Sequence, residues 1–206
     1  RSRGRGDVYK RQPLRQATGR VLAQELVAGR SVPPHDNAAV DGYAVQFNDL
    51  DLTKETRLPI AGRITAGHPH DGQTLAGEAY RIFTGGAMPV GTDTVLMQED
   101  CRIEGNQVII PVGIKQGANH RFAGEDIETG TTILAKGALL RPQDIGLAAS
   151  VGHTEMTVYQ RLRVALFSTG DEVHDIGTPV PYGGIFDSNR YTITALLENL
   201  GCTVDD

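Results

Sequence analysis

The apolar positions change rhythm twice along the chain. Residues 13–28 (PLRQATGRVLAQELVA) place Leu14, Val21, Leu22, Leu26 and Val27 at mixed, helix-like spacing. That spacing predicts a short helix or helix remnant, interrupted by Gly19 and running into extended chain. Pro33-Pro34 stops any helix there. From Tyr43 to about Ile133 the pattern becomes short apolar runs broken by Gly, Pro, Asn and Asp. Leu58–Thr65, Ala79–Phe83, Thr94–Gln98, Cys101–Glu104 and Gln107–Pro111 are predicted strands. Glu104-Gly105-Asn106-Gln107 is a predicted hairpin turn. Residues 142–150 (PQDIGLAAS) read as a short helix, with Pro142 in its first turn and Gly152 as the stop signal.

Beyond residue 162 the period changes again. Arg163–Ser168 (RVALFS) is a nearly continuous apolar run, as in a buried parallel strand, and it ends in Thr169-Gly170-Asp171-Glu172. A Pro/Gly loop over 176–184 leads to Asp187-Ser188-Asn189, a helix N-cap set. Residues 190–200 then form an amphipathic helix that Gly201 caps. Strand, loop, helix and a second strand open a βαβ unit. The predicted fold class is a multi-domain α+β chain. A β-rich, barrel-like module over 28–130 is inserted in a small α/β framework formed by 13–27 and 131–161. The start of a truncated doubly wound α/β domain follows over 162–206. Residues 1–12 (RSRGRGDVYKRQ) are basic and without apolar period, and DVYKRQ is what one reading frame of a common sequencing adaptor encodes. They are set aside as non-native. The chain stops just as a strand begins, as a cut domain would.

Composition narrows the function classes. Of 206 residues, 39% are hydrophobic but only 5% aromatic, with no Trp, so the core must rest on Val, Ile, Leu and Ala. The net charge is -5, and no Lys/Arg block lies outside the extreme N-terminus, which argues against a duplex nucleic acid as partner. Cys101 and Cys202 are far apart and support neither a disulfide framework nor a zinc site. No apolar run reaches transmembrane length and no signal peptide is visible, so the expected setting is the cytoplasm.

Four polar clusters sit at turns between apolar runs. The first spans Pro33 to Val45 and holds Asp36, Asn37 and Asp41; on local grounds an Asx turn at Asp36-Asn37 and a type I turn at Asp41 account for it. The second is Thr84-Gly85-Gly86-Ala87-Met88-Pro89, where backbone N–H groups and the Thr hydroxyl could meet an oxyanion, or simply form a loop. The third, Arg121-Phe122-Ala123-Gly124-Glu125-Asp126-Ile127, could hold a hard cation or face water. The fourth, Ser168-Thr169-Gly170-Asp171-Glu172, follows an apolar strand directly, where ligands bind in open α/β sheets. Its Ser-Thr-Gly turn offers donors to phosphate, and Asp171 and Glu172 could hold Mg²⁺ with phosphate oxygens completing the shell. No Ser/His/Asp order, HExxH or Cys-His pair is present.

Taken in order, these clusters resemble one family, the molybdopterin molybdenumtransferases, which include the catalytic domain of gephyrin. The carrying motifs are PPHDNAAVDGYAV (33–45), IFTGGAMPVGTDTVLMQED (82–100), RFAGEDI (121–127) with residues 137–152, and RVALFSTGDEV (163–173) with DSNRYTITALLENLG (187–201). The likeness runs from Pro13 to Asp206. It implies that the 162–206 segment opens a molybdopterin-binding domain. It also implies Mg²⁺-dependent insertion of molybdate into adenylylated molybdopterin with release of AMP, chemistry that requires no covalent nucleophile.

Carried over position by position, the resemblance implies catalytic roles for Asp41, Thr84, Asp126 and Glu172. It places Mg²⁺ at Glu172 and Asp171, and phosphate contacts at Ser168, Thr169, Gly170, Ser188 and Asn189. It further implies a homodimer with shared sites and a molybdopterin adenylyltransferase as partner. Departures from the family pattern are His35 for Phe, Ala38 for Ser, Val40 for Met, and Phe122 where a basic residue is common. About half of the family's length is missing. Two other readings compete: a molybdopterin-binding scaffold without catalysis, and a Mg²⁺-dependent nucleotide hydrolase of other purpose.

Overall fold

The computed structural model describes residues 8–205. The chain forms two compact units, 28–131 and the remainder. Its elements, in chain order, begin with β1 (Tyr9–Pro13), β2 (Leu26–Val27), β3 (Asn37–Ala38), β4 (Gly42–Val45) and β5 (Thr56–Ile64). There follow β6 (Ala79–Ile82), β7 (Thr94–Met97), β8 (Arg102–Glu104), β9 (Gln107–Ile110), β10 (His120–Arg121) and β11 (Thr132–Leu134). The last group is α1 (Pro142–Ser150), β12 (Glu155–Tyr159), β13 (Arg163–Ala165), β14 (Val173–His174), β15 (Ile185–Phe186), α2 (Ser188–Asn199) and β16 (Thr203–Asp205).

Unit 28–131 is built on a six-stranded sheet in the order β7-β4-β6-β5-β9-β8. It is mixed, because β5 runs parallel to β6 while the other neighbours are antiparallel. β5 changes partner midway. Thr56–Pro59 pairs with β9, and Ile60–Ile64 with β6. Pro59, which has no N–H to give to a ladder, sits at that hand-over. The sheet is open, with β7 and β8 at its ends, so the barrel-like expectation does not extend to a closed barrel.

Alternation along β4 sends Tyr43 and Val45 into one apolar cluster with Leu58, Leu96, Val108 and Ile110, and Ala44 into another with Ile64, Tyr80, Ile82 and Val95. Gly42 is obligatory. A Cβ there would lie 1.8 Å from the Leu96 carbonyl oxygen across the β4–β7 ladder. The hairpin turn at Gly105-Asn106 joins β8 to β9 as the sequence predicts.

In the other unit β12 lies between β1 and the extended segment 21–23. Residues 1–7 of the stretch set aside as non-native lie outside the described residues. Residues 9–12 of that stretch are structured. They form most of β1, pair with β12, and bury Gln12. The helix expected over 13–28 is a single 3-10 turn, Leu14–Gln16. Downstream, Leu22 and Ala23 are buried while Val21 is exposed, and Leu22 bridges Val158. This segment is read by the sheet's pairing, which overrides its helix-like spacing. Leu22, Leu26, Leu140, Met156 and Val158 form the core with Ala148 of α1. The Arg141 N–H donates to Asp144 at 2.8 Å, closing the first turn of α1.

The last segment contains the expected strand–helix–strand passage, β13, α2 and β16, with β13 and β16 parallel. The strand expected over Arg163–Ser168 is shorter and less buried than predicted. It ends at Ala165, and Phe167 is 79% exposed. An apolar parallel strand is buried only where both of its faces are covered. Among the described residues, β16 is its one ladder neighbour. No helix among the described residues is long and apolar enough to cross a membrane.

Candidate active site

Three of the four sequence clusters meet in unit 28–131. β3 pairs with β10 through Asn37–Arg121 and Ala38–His120. On the glycine-rich side, Gly85 N–H donates to the Ala38 carbonyl (2.9 Å), Ala38 N–H to Gly86 (3.0 Å) and Met88 N–H to Asp36 (3.0 Å). The loops 84–88 and 120–126 are therefore both stitched to the short segment 36–38 that leads to Asp41.

Asp41 accepts two hydrogen bonds on one oxygen, Oδ1. The Thr84 N–H donates at 2.8 Å and the Thr84 hydroxyl at 2.7 Å. The backbone N–H, then the hydroxyl, then the nearby Arg81 charge hold the Asp41 carboxyl below the ordinary carboxylate range. Oδ2 accepts no hydrogen bond from the described residues. Arg81 sits over the Phe83 ring at 4.4 Å and donates to the Gly42 carbonyl at 2.8 Å and to the Gln98 side chain. The Gln98 N–H closes the ring by donating to the Asp41 carbonyl at 3.0 Å.

The Gly85-Gly86 loop is no open oxyanion cradle. Thr84, Gly85 and Gly86 N–H groups all have intramolecular acceptors, in Asp41, Ala38 and Phe83. The role of the loop is to present the Thr84 hydroxyl to Asp41.

Asp126 is engaged in a two-oxygen pair with Arg121, both bonds from Nη2 at 2.8 Å. Glu125 lies 3.6 Å from Arg121 Nε and accepts the Phe122 N–H at 3.1 Å. The carboxylates of this turn thus stabilise the turn and its arginine, and both side chains are solvent-facing. Arg121 and Arg81 were not singled out by sequence reasoning. Their sequence signal is only that of basic residues, Arg121 opening the motif that carries Asp126 and Arg81 standing one position before the motif that carries Thr84.

The fourth cluster lies in the other unit. β14 and β15 run parallel and tie residues 168–174 to the start of α2. Ile185 N–H donates to the Glu172 carbonyl at 2.7 Å, and Asp187 N–H to His174 at 3.0 Å. Asp187 is the helix N-cap, accepting the Arg190 N–H at 3.0 Å. It is also held below the ordinary carboxylate range, first by the Ser168 hydroxyl. The Ser168 hydroxyl therefore lies beside Asp187 and favours its ionised form. Ser168, Thr169, Gly170, Ser188 and Asn189 are all exposed.

The Glu172 carboxylate folds back over Gly170, 2.7 Å from where a Cβ would stand. Among the described residues no group of three or more His, Cys, Asp or Glu side chains gathers to hold a metal ion. Asp171 and Glu172 could supply at most two carboxylates to a Mg²⁺ shell, and bound phosphates and water would have to supply the other oxygens.

Several known proteins are similar to this chain. The family described as MoeA N-terminal region (domain I and II) matches residues 7–152. The molybdopterin molybdenumtransferase of Haemophilus influenzae is 39% identical over 194 residues, covering 94% of this chain and 48% of that protein. The protein of the same name from Nostoc is 38% identical over 188 residues, covering 90% and 43%. The solved structure of the molybdopterin biosynthesis MoeA protein from Pyrococcus horikoshii superposes with a TM-score of 0.87 at 31% identity, covering 96% of this chain and 53% of that one. The chain spans about half the length of the curated relatives it matches. On the family match and on the motifs that build the Asp41–Thr84 pair, this chain belongs to the MoeA family.

Proposed function

We propose that this chain acts in molybdenum cofactor biosynthesis, as the N-terminal half of a molybdopterin molybdenumtransferase that inserts molybdate into adenylylated molybdopterin and releases AMP. The observation that carries the reading is the Asp41–Thr84 pair. It is an ionised, oriented carboxylate with one oxygen anchored and the other open, within the residues that match the family. Such a group can accept a proton from, or orient, water and hydroxyls around an oxyanion. Asp126 with Arg121 adds a fixed ion pair in the same unit.

Residues 162–206 open the molybdopterin-binding α/β domain in this reading. Glu172 and Asp171 would hold Mg²⁺ there, which when bound offsets the charge of the phosphates. The backbone of Ser168, Thr169 and Gly170 and the α2 N-terminus at Ser188 and Asn189 face the phosphates. The assembly is a homodimer with active sites shared between the α/β domain of one subunit and the β module of the other. A molybdopterin adenylyltransferase supplies the substrate, and the setting is the cytoplasm.

The test uses the protein at the full length of its relatives, with adenylylated molybdopterin, Mg²⁺ and molybdate, following AMP release and metal incorporation together. Both should occur, and both should fall in Asp41→Asn and Glu172→Gln. AMP release that is indifferent to molybdate would favour a nucleotide hydrolase. A folded dimer that does neither would be a binding scaffold.

A further inference from the structure

His120 lies at the junction of β10 with the 120–126 loop, its side chain only 7% exposed. Both ring nitrogens face oxygens. Nε2 is 3.0 Å from Asp36 Oδ2, and Nδ1 is 3.2 Å from the Asp93 carbonyl oxygen. A carbonyl oxygen has no proton to give. Asp36 has none either. Its carboxyl is held below the ordinary range first by the Ala123 N–H, which donates to Oδ1 at 2.8 Å, and then by His120. Two acceptors on one imidazole require two N–H donors, and only the imidazolium has both. In a neutral ring one nitrogen lone pair would point at an oxygen about 3 Å away, with one bond lost.

The surrounding charges are accounted for. His35 is the other imidazole near Asp36. The Asp93 carboxylate is occupied by the Phe47 N–H, the Thr94 hydroxyl and Gln116. Arg121 is turned to Asp126 and Glu125. Phe122 packs on the His120 ring at 4.4 Å. Asp36 is thus the carboxylate that balances His120.

We infer that His120, as an imidazolium clamped between Asp36 and the Asp93 carbonyl, is a positioning residue. It latches the loop carrying Arg121 and Asp126 to the segment that leads to Asp41. Its role in catalysis rests on the transferase reading above, while the latch itself does not. Losing the ring proton removes one bond and opens the loop. The Asp36→Asn substitution makes the opposite prediction. The Asn amide N–H can donate to a neutral Nε2 while its oxygen keeps the Ala123 bond, so the variant holds the loop without any charge.

The test is made first on the 206-residue chain, labelled with ¹⁵N-histidine. Long-range ¹H–¹⁵N spectra report both His120 nitrogens, and amide exchange at Ala123–Asp126 is corrected for the intrinsic effect of pH. Both nitrogens should be protonated while the loop is closed. Protection of the loop should fall about tenfold as the ring deprotonates, the equivalent of one hydrogen bond. Asp36→Asn should keep the loop protected and flat with pH. A single protonated nitrogen throughout, or loop exchange that ignores the ring, overturns the latch.

In the full-length protein the metal-insertion rate should follow the same pH step and lose it in Asp36→Asn. A profile unchanged by that variant overturns the positioning role. A full-length protein that shows the latch but no metal insertion refutes the transferase reading instead.

Discussion

Thr84 gives both of its protons, backbone and hydroxyl, to the same oxygen of Asp41, at 2.8 and 2.7 Å. Sequence separates the two by more than forty positions, and the β4–β6 ladder brings them together through Gly42 and Ile82.

Both bonds are stronger to the ionised carboxylate than to the neutral acid. The folded-state pKa of Asp41 is depressed, so their contribution is complete above the unfolded value, roughly pH 3.9, and is lost as pH falls through the lower folded value. Thr84→Val removes the hydroxyl and keeps the N–H, so the Asp41 midpoint should move part of the way back up. Carboxyl ¹³C titration by NMR reads this directly, and a midpoint identical to wild type would contradict the assignment of the hydroxyl.

Gly42→Ala and Gly146→Ala should act in opposite directions. A Cβ at Gly42 collides with the Leu96 carbonyl at 1.8 Å, a backbone atom that cannot swing away. The expected cost is about 3 kcal/mol or more. Gly146 lies inside α1 with nothing within 4 Å of the new atom, so alanine should stabilise by roughly 0.5–1 kcal/mol. Urea unfolding of the two variants checks both signs.

Leu22→Ala should cost about 2–5 kcal/mol, because the side chain is wholly buried among Leu26, Leu140, Met156 and Val158. The loss should appear as faster amide exchange along Glu155–Tyr159, the strand that Leu22 bridges. Unchanged exchange there would mean that this core does not support β12.

Cys101 should resist alkylation. Burial pushes its thiol up to about 11, with Asp100 adding to the shift. At neutral pH it should react with iodoacetamide roughly a hundredfold more slowly than an unperturbed cysteine, since the thiolate is the nucleophile. Mass spectrometry of the labelled peptide measures the rate, and labelling as fast as an exposed thiol would show that the side chain is not held inside.

Much of the fold was legible because local rules and tertiary structure agree. Pro142 and Gly152 bracket α1, Asp187 and Gly201 bracket α2, and Gly105 turns β8 into β9. The 13–28 segment misled because apolar spacing cannot tell a helix from extended chain when a distant strand, here β12, supplies the pairing. The site was legible as residue identities but not as relationships. Nothing local says that the Gly85 and Gly86 N–H groups are already spent on Ala38 and Phe83, that Asp126 faces Arg121, or that the Ser168 hydroxyl lies beside Asp187. His120 carried no signal at all, because both its partners come from other strands and loops, and a solitary histidine next to an arginine reads as surface.

The chain leaves for residues 28–131 and returns at one place. Val27 pairs with Thr132, and immediately beyond, the Ala28 N–H donates to the Thr131 carbonyl at 2.8 Å. No residue of the Leu22 core lies inside the excursion, and none of the two sheet clusters lies outside it. The excursion is therefore a cassette with its own interior and a pinched neck. Excising 28–131 as one contiguous stretch, with Val27 joined to Thr132, removes Asp41, Thr84 and Asp126 together and leaves every residue of the Leu22 core in the chain.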